Sequence, residues 1–157
     1  MSKGQKIAVI VLSALIAAIL IFALVVSVVQ KNTKPSFTPP EPAANALAGE
    51  PEADGYSVAE VGSYRVGLVG VPSIKGNDLY LYAACPEGNP VSVQARVKNA
   101  AGDVIGLSGL IAPGQYVPFV TLSEVPADKS ITVEIISYLP ETYESIGKAT
   151  FNTVIAD

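Results

Sequence analysis

The sequence predicts an all-β domain, an antiparallel sandwich of about seven strands, carried behind one apolar helix. Three observations lead there. In Val91–Lys98, Val91, Val93, Ala95 and Val97 alternate with Ser92, Gln94, Arg96 and Lys98, and the same period of two recurs in 130–138 and 147–155. Gly, Pro, Asn and Asp separate such runs at intervals of about 8 to 12 residues, the rhythm of short strands joined by turns. Ahead of them stands Ile7–Val29, an uncharged, proline-free run that would reach roughly 34 Å as a helix, enough to cross a bilayer.

Taken in order, residues 1–6 form a short tail carrying Lys3 and Lys6, and 7–29 is read as a transmembrane helix. A cleaved signal peptide is the alternative, but its apolar core is usually about 7 to 15 residues long and ends in a small-x-small site. Here the run is longer, the following Gln30-Lys31-Asn32-Thr33-Lys34 is polar, and no cysteine follows for a lipid anchor. Lys3 and Lys6 are matched by Lys31 and Lys34, so basic residues barely choose the orientation. The spacer and the acidic β domain beyond it favour a carboxy-terminus outside the cell.

Residues 30–55 read as a flexible linker rich in Pro and Ala, with prolines at 35, 39, 40, 42 and 51 holding it extended. From Tyr56 to Asp157 the texture is that of strands. In Ser130–Tyr138, Ile131, Val133 and Ile135 are expected to face inward, and in Gly147–Ile155, Ala149, Phe151, Thr153 and Ile155. Less regular candidates are Tyr64–Val69, Leu79–Ala84, Val104–Leu107 and Tyr116–Leu122. Asn99–Asp103, Ala112–Gln115 and Pro126–Lys129 are turns. Together they predict an immunoglobulin or fibronectin III-like sandwich, with a small barrel as the alternative.

Composition narrows the chemistry. From Pro35 onward six basic residues face fourteen acids, a net charge of −8, so neither nucleic acid nor an anionic surface is an expected partner. There is no histidine and one cysteine, Cys85, which removes Ser-His-Asp and Cys-His catalysis, zinc sites and an internal disulfide. Cys85 is expected as a buried thiol in a strand. No Gly-rich phosphate loop occurs. The loop acids at Asn77-Asp78, Glu87-Gly88-Asn89 and Glu141/Glu144 lack a calcium-binding spacing. Leu139-Pro140-Glu141-Thr142 begins like a sortase signal, but Tyr143 stands where glycine is needed. Tyr80 and Tyr82 share a strand face and are expected to complete packing rather than to form a binding platform. No residue is therefore nominated as catalytic, cofactor-binding or metal-binding, and the chain is not expected to be an enzyme.

Gly109-Leu110-Ile111-Ala112-Pro113-Gly114-Gln115 and the later Pro140-Glu141-Thr142-Tyr143-Glu144-Ser145-Ile146-Gly147 resemble the carboxy-terminal half of small membrane-anchored exported proteins of Gram-positive bacteria. The chain departs from that pattern at Asp128-Lys129-Ser130. The family has no assigned activity, so the resemblance implies fold and location only. The start, Lys3-Gly4 before Gln5 and a long apolar run, resembles a pre-pilin cut after Gly4, although Lys6 and the absence of an early glutamate depart from it. The expectation is a single-pass envelope protein whose β domain binds another envelope protein. A pilin-like filament subunit is the alternative, and a secreted domain the third reading.

Overall fold

The computed structural model describes residues 38–156, together with Gly4 and Ile19. The rest of the tail, of the predicted span 7–29 and of the first part of the linker lies outside the described residues. Among the described residues, no helix is long and apolar enough to cross a membrane.

From Pro39 onward the chain forms one compact unit. It is all-β: β1 Leu47–Ala48, β2 Tyr56–Val61, β3 Tyr64–Val69, β4 Ser73–Lys75, β5 Asp78–Tyr80, β6 Ala83–Cys85, β7 Ser92–Lys98, β8 Val104–Leu107, β9 Gln115–Val117, β10 Val120–Thr121, β11 Ser130–Tyr138 and β12 Ser145–Val154. A five-stranded sheet runs β1-β9-β6-β3-β2, a four-stranded sheet β12-β11-β7-β8, and a small third sheet β10-β5-β4. All the strand pairs are antiparallel. This arrangement is consistent with a sandwich, since side chains of all three sheets enter one core.

Alternation decides which side chains those are. Val91, Val93, Ala95 and Val97 are fully buried, as are Ile131, Val133 and Ile135, and across from them lie Val66, Leu68, Ala83, Cys85 and Val117. Each such Val, Leu or Ile side chain contributes roughly 1.5–3 kcal/mol on leaving water. The opposite face of β7 is less wet than its polar residues predict, for Ser92 and Gln94 are also buried. Gln94 Nε2 donates to the Ser108 carbonyl at 2.8 Å and Tyr138 Oη donates to Gln94 Oε1 at 3.2 Å, so a polar network closes over that end of the sheet.

Two predicted strands are each divided. Leu79–Ala84 breaks at Tyr82, whose φ of 48° lies in the left-handed region, so β5 and β6 join different sheets. Tyr116–Leu122 breaks at Pro118, which has no N–H to give a ladder, so β9 and β10 separate likewise. The breaks meet: Tyr82 N donates to the Pro118 carbonyl at 3.1 Å. Strands that change sheets at bends are how sandwiches turn corners.

The linker boundary needs correction. The flexible segment 30–55 was expected to run free to Tyr56, yet from Glu41 it is built into the domain. Leu110 N donates to the Glu41 carbonyl at 2.7 Å, Ala43 N to the Leu110 carbonyl at 2.9 Å, and Gly49 N to the Gly114 carbonyl at 2.8 Å. Asn45 Nδ2 adds a bond to the Phe119 carbonyl at 2.9 Å. Ile111, next to Leu110, exchanges bonds with Val93 of β7, whereas β1 pairs with β9 of the five-stranded sheet. The segment thus clasps both sheets. Small side chains permit it: Ala43 and Ala46 pack on the core without displacing it.

Candidate functional site

The residues singled out in the sequence fall mostly into structural roles. Asn77 Nδ2 and its carbonyl pair with Leu122, and Asp78 accepts from Thr121 Oγ1 at 2.6 Å. Glu141 and Glu144 are exposed at the β11–β12 tip, where Leu139 N bonds to the Glu144 carbonyl and Tyr143 N to the Leu139 carbonyl. The sortase-like tetrapeptide is therefore the turn of a hairpin. Among the described residues no cluster of three or more Cys, Asp or Glu side chains stands close enough to hold a metal.

Cys85 is fully buried in β6. Its Sγ donates to the Val91 carbonyl at 3.1 Å and accepts from Asn89 Nδ2 at 3.3 Å. Burial pushes the thiol pKa up, only partly offset by the Asn89 bond, so little thiolate forms at neutral pH. A disulfide-based thiol reagent is expected to leave native protein unmodified and to label one thiol after urea unfolding. Labelling of the folded chain at the free-cysteine rate would contradict this burial.

Tyr80 ends β5, and Tyr82 lies at the break before β6, outside either strand. They belong to a row of half-buried rings, Phe119–Tyr80–Tyr82–Tyr116, with centroids 5.4, 6.3 and 6.4 Å apart. Rings at such separations stabilise one another, and here they brace the corner where the two strands divide.

The feature the sequence did not single out is Glu134, in the middle of β11. Its register places it opposite Arg96 on β7, with Lys98 two residues along that strand and Lys148 on β12 to the other side. Lys148 Nζ lies 2.6 Å from Oε1, while Lys98 Nζ at 3.1 Å and Arg96 Nη1 at 3.5 Å share Oε2. The carboxylate side chain is only 4% exposed, whereas those of Arg96, Lys98 and Lys148 are 34%, 24% and 55% exposed. One acid at the base and three half-open cations above it leave two positive charges facing water. Beside them Arg96, Ile136, Tyr138, Ile146 and Lys148 line an open groove of about 520 Å³. The signal was present in the sequence, since Arg96 and Lys98 lie on the polar phase of their strand. Only strand order shows that Glu134 and Lys148 join them.

Hydrogen bonds from Lys148 and then Lys98 hold the Glu134 carboxyl at about 2, against an ordinary 4.5. Because the folded value is depressed, this stabilisation is complete above about pH 4.5 and disappears as pH falls towards 2. With the cations part-exposed and screened, it is worth about 1–2 kcal/mol. Urea unfolding between pH 5 and pH 2 is expected to lose that amount in the parent chain beyond what a Glu134→Gln chain loses. Identical acid limbs would show that the cluster contributes nothing.

No protein-family model, curated protein or solved structure matches the chain.

Proposed function

We propose that the chain is a single-pass membrane protein whose extracytoplasmic sandwich, immunoglobulin/fibronectin III-like in topology, is a non-catalytic interaction or assembly module of the cell envelope. The observation that carries this reading is the gathering of three of the domain's six cations on one open sheet face of an otherwise acidic body. Such opposed charge steers association and selects partners more than it adds affinity. The apolar run 7–29 supports the anchor, and the likeness of 109–115 and 140–147 to exported Gram-positive proteins supports the location.

The topology is argued from strand order. The sequence β12-β11-β7-β8 corresponds to the G-F-C-C′ sheet of immunoglobulin variable domains, and β3-β6-β9 to A-B-E, with β1 and β2 as additions at the edges. Cys85 would then lie on strand B, where antibody domains carry half of the B–F disulfide. No cysteine on β11 completes it, so no disulfide joins the two sheets.

One finding favours the filament subunit as a second reading. With Glu41 onward bound into the domain, no more than residues 30–40 are left as a spacer after Val29, at most about 34 Å if fully extended and shorter than the stretch 30–55. The amino terminus of the mature protein separates the readings. Intact Met1 or Ser2 on cells whose domain is removed by external protease is the expected result. A start at Gln5 would favour the filament, a start near Val28 a secreted domain, and protection from protease until lysis would overturn the outward orientation.

A further inference from the structure

Two complementary charged surfaces lie on opposite sides of the domain. The first is the cationic face of the four-stranded sheet. The second is the segment 50–54, where Glu50, Glu52 and Asp54 are exposed while Pro51 is buried and Ala53 half-buried. Glu50 and Glu52 flank the buried Pro51, and Asp54 is exposed in the turn closed by the bond from Tyr56 N to the Ala53 carbonyl, so the segment gathers three carboxylates at the surface. Arg96 and Lys98 lie two residues, about 6.8 Å, apart on β7, and Lys148, level with Gln94 two strands away, stands roughly 12 Å from Arg96.

Within one copy these surfaces do not meet. The segment joins β1 to β2, the two edges of the five-stranded sheet. Glu50 acts electrostatically on the Tyr56 phenol, and that ring lies over Gly67 of β3, whose neighbours Val66 and Leu68 point the other way into the core. Glu50 therefore lies towards the outer side of the five-stranded sheet, with Glu52 and Asp54 exposed in the same short segment. The cations lie on the outer side of the sheet across the core.

We propose that the cationic face formed by Arg96, Lys98 and Lys148 docks the Glu50–Asp54 segment of a second copy of this chain, head to tail. The proposal rests on the assembly reading above and names the partner in it. Each copy keeps one free surface of each sign, so the contact is heterologous and propagates instead of closing as a dimer. Tethering on a membrane would hold copies side by side at high effective concentration. Glu134 sets the cations at their spacing while neutralising only one of them.

Disulfide trapping in the full-length, membrane-embedded chain tests this. Differently tagged copies carrying Ser145→Cys, at the rim of the groove, and Asp54→Cys, exposed at the end of the acidic segment, are co-expressed and oxidised with copper phenanthroline. Cys85, fully buried, does not compete. The expected product is a mixed disulfide between the tags, its yield falling about tenfold in roughly 0.5 M salt. The same loss is expected when Glu50→Lys and Glu52→Lys are introduced in the copy carrying Asp54→Cys. Arg96→Glu with Lys148→Glu in the other copy should restore it, and Arg96→Gln with Lys148→Gln should abolish trapping should the reversed pair fail to fold. No mixed disulfide, a yield indifferent to charge, or pairing of position 145 only with itself would overturn the proposal. So would capture of a different acidic protein in place of a second copy. Protease shaving of the same cells keeps the two readings apart: a shaved, anchored domain without the mixed disulfide defeats the docking alone, and a protected domain defeats the function on which it rests.

Discussion

Gly109→Ala is expected to lower the unfolding free energy by about 2–4 kcal/mol and to release residues 41–49 to protease. A Cβ at position 109 would overlap Ala43 Cα and lie 2.5 Å from Ala43 N and 2.8 Å from Pro42 C. These are backbone atoms, and no rotamer change moves them aside. The segment must lift, and with it go the bonds from Leu110 N to Glu41 and from Ala43 N to Leu110, together with the packing of Ala43 and Ala46 on the core. Gly67→Ala is the informative contrast, because its Cβ would meet the far end of the Tyr56 side chain. That phenol is buried without a hydrogen-bond partner among the described residues, so swinging it towards water relieves both problems and the cost should be smaller. Urea denaturation gives the two energies, and thermolysin cleavage at Leu47 reports release of the clasp. Equal stabilities, with Leu47 protected in both, would show that the clasp is not seated through Gly109.

The same segment shows where sequence reasoning stops. Period-two alternation located the inner faces of β7, β11 and β12 because each buries one face against a wide core, and a single-residue slip would expose every apolar side chain. The bounds of Val104–Leu107 and Tyr64–Val69 also match their strands, although burial along them does not alternate cleanly. The stretch 41–49 carries no such pattern. It is held by backbone bonds that any residue makes, and what admits it is the missing side chain of Gly109, on a segment far away in sequence. Composition read its prolines as a free spacer. The divided strands were opaque in a related way: Leu79–Ala84 is continuous in hydrophobicity, and the break at Tyr82 is set by which sheet each half joins. The cationic face lay between these extremes. Arg96 and Lys98 were on the expected polar phase, but Glu134 and Lys148 become their neighbours only through the order β7-β11-β12, which a lone sequence does not encode legibly.

Asn89→Ala is expected to destabilise the domain by about 2–3 kcal/mol, more than removal of an exposed loop amide would. Asn89 lies buried in the loop between β6 and β7, and its side chain acts as an extra strand neighbour for β3. Oδ1 accepts from Arg65 N at 2.9 Å, and Nδ2 donates to the Arg65 carbonyl at 2.6 Å and to Cys85 Sγ at 3.3 Å. Truncation leaves a backbone N–H and a carbonyl without partners in a part-buried setting, and an unmade bond there costs the desolvation of each group. Asn89→Asp separates shape from bonding, since it keeps the volume and the acceptor but replaces the donor with an oxygen facing the Arg65 carbonyl. It should therefore be at least as damaging as alanine at neutral pH. If the aspartate chain were instead as stable as the parent, the amide would be serving as a space-filler, and the bonds to Arg65 would not be what ties the β6–β7 loop to β3.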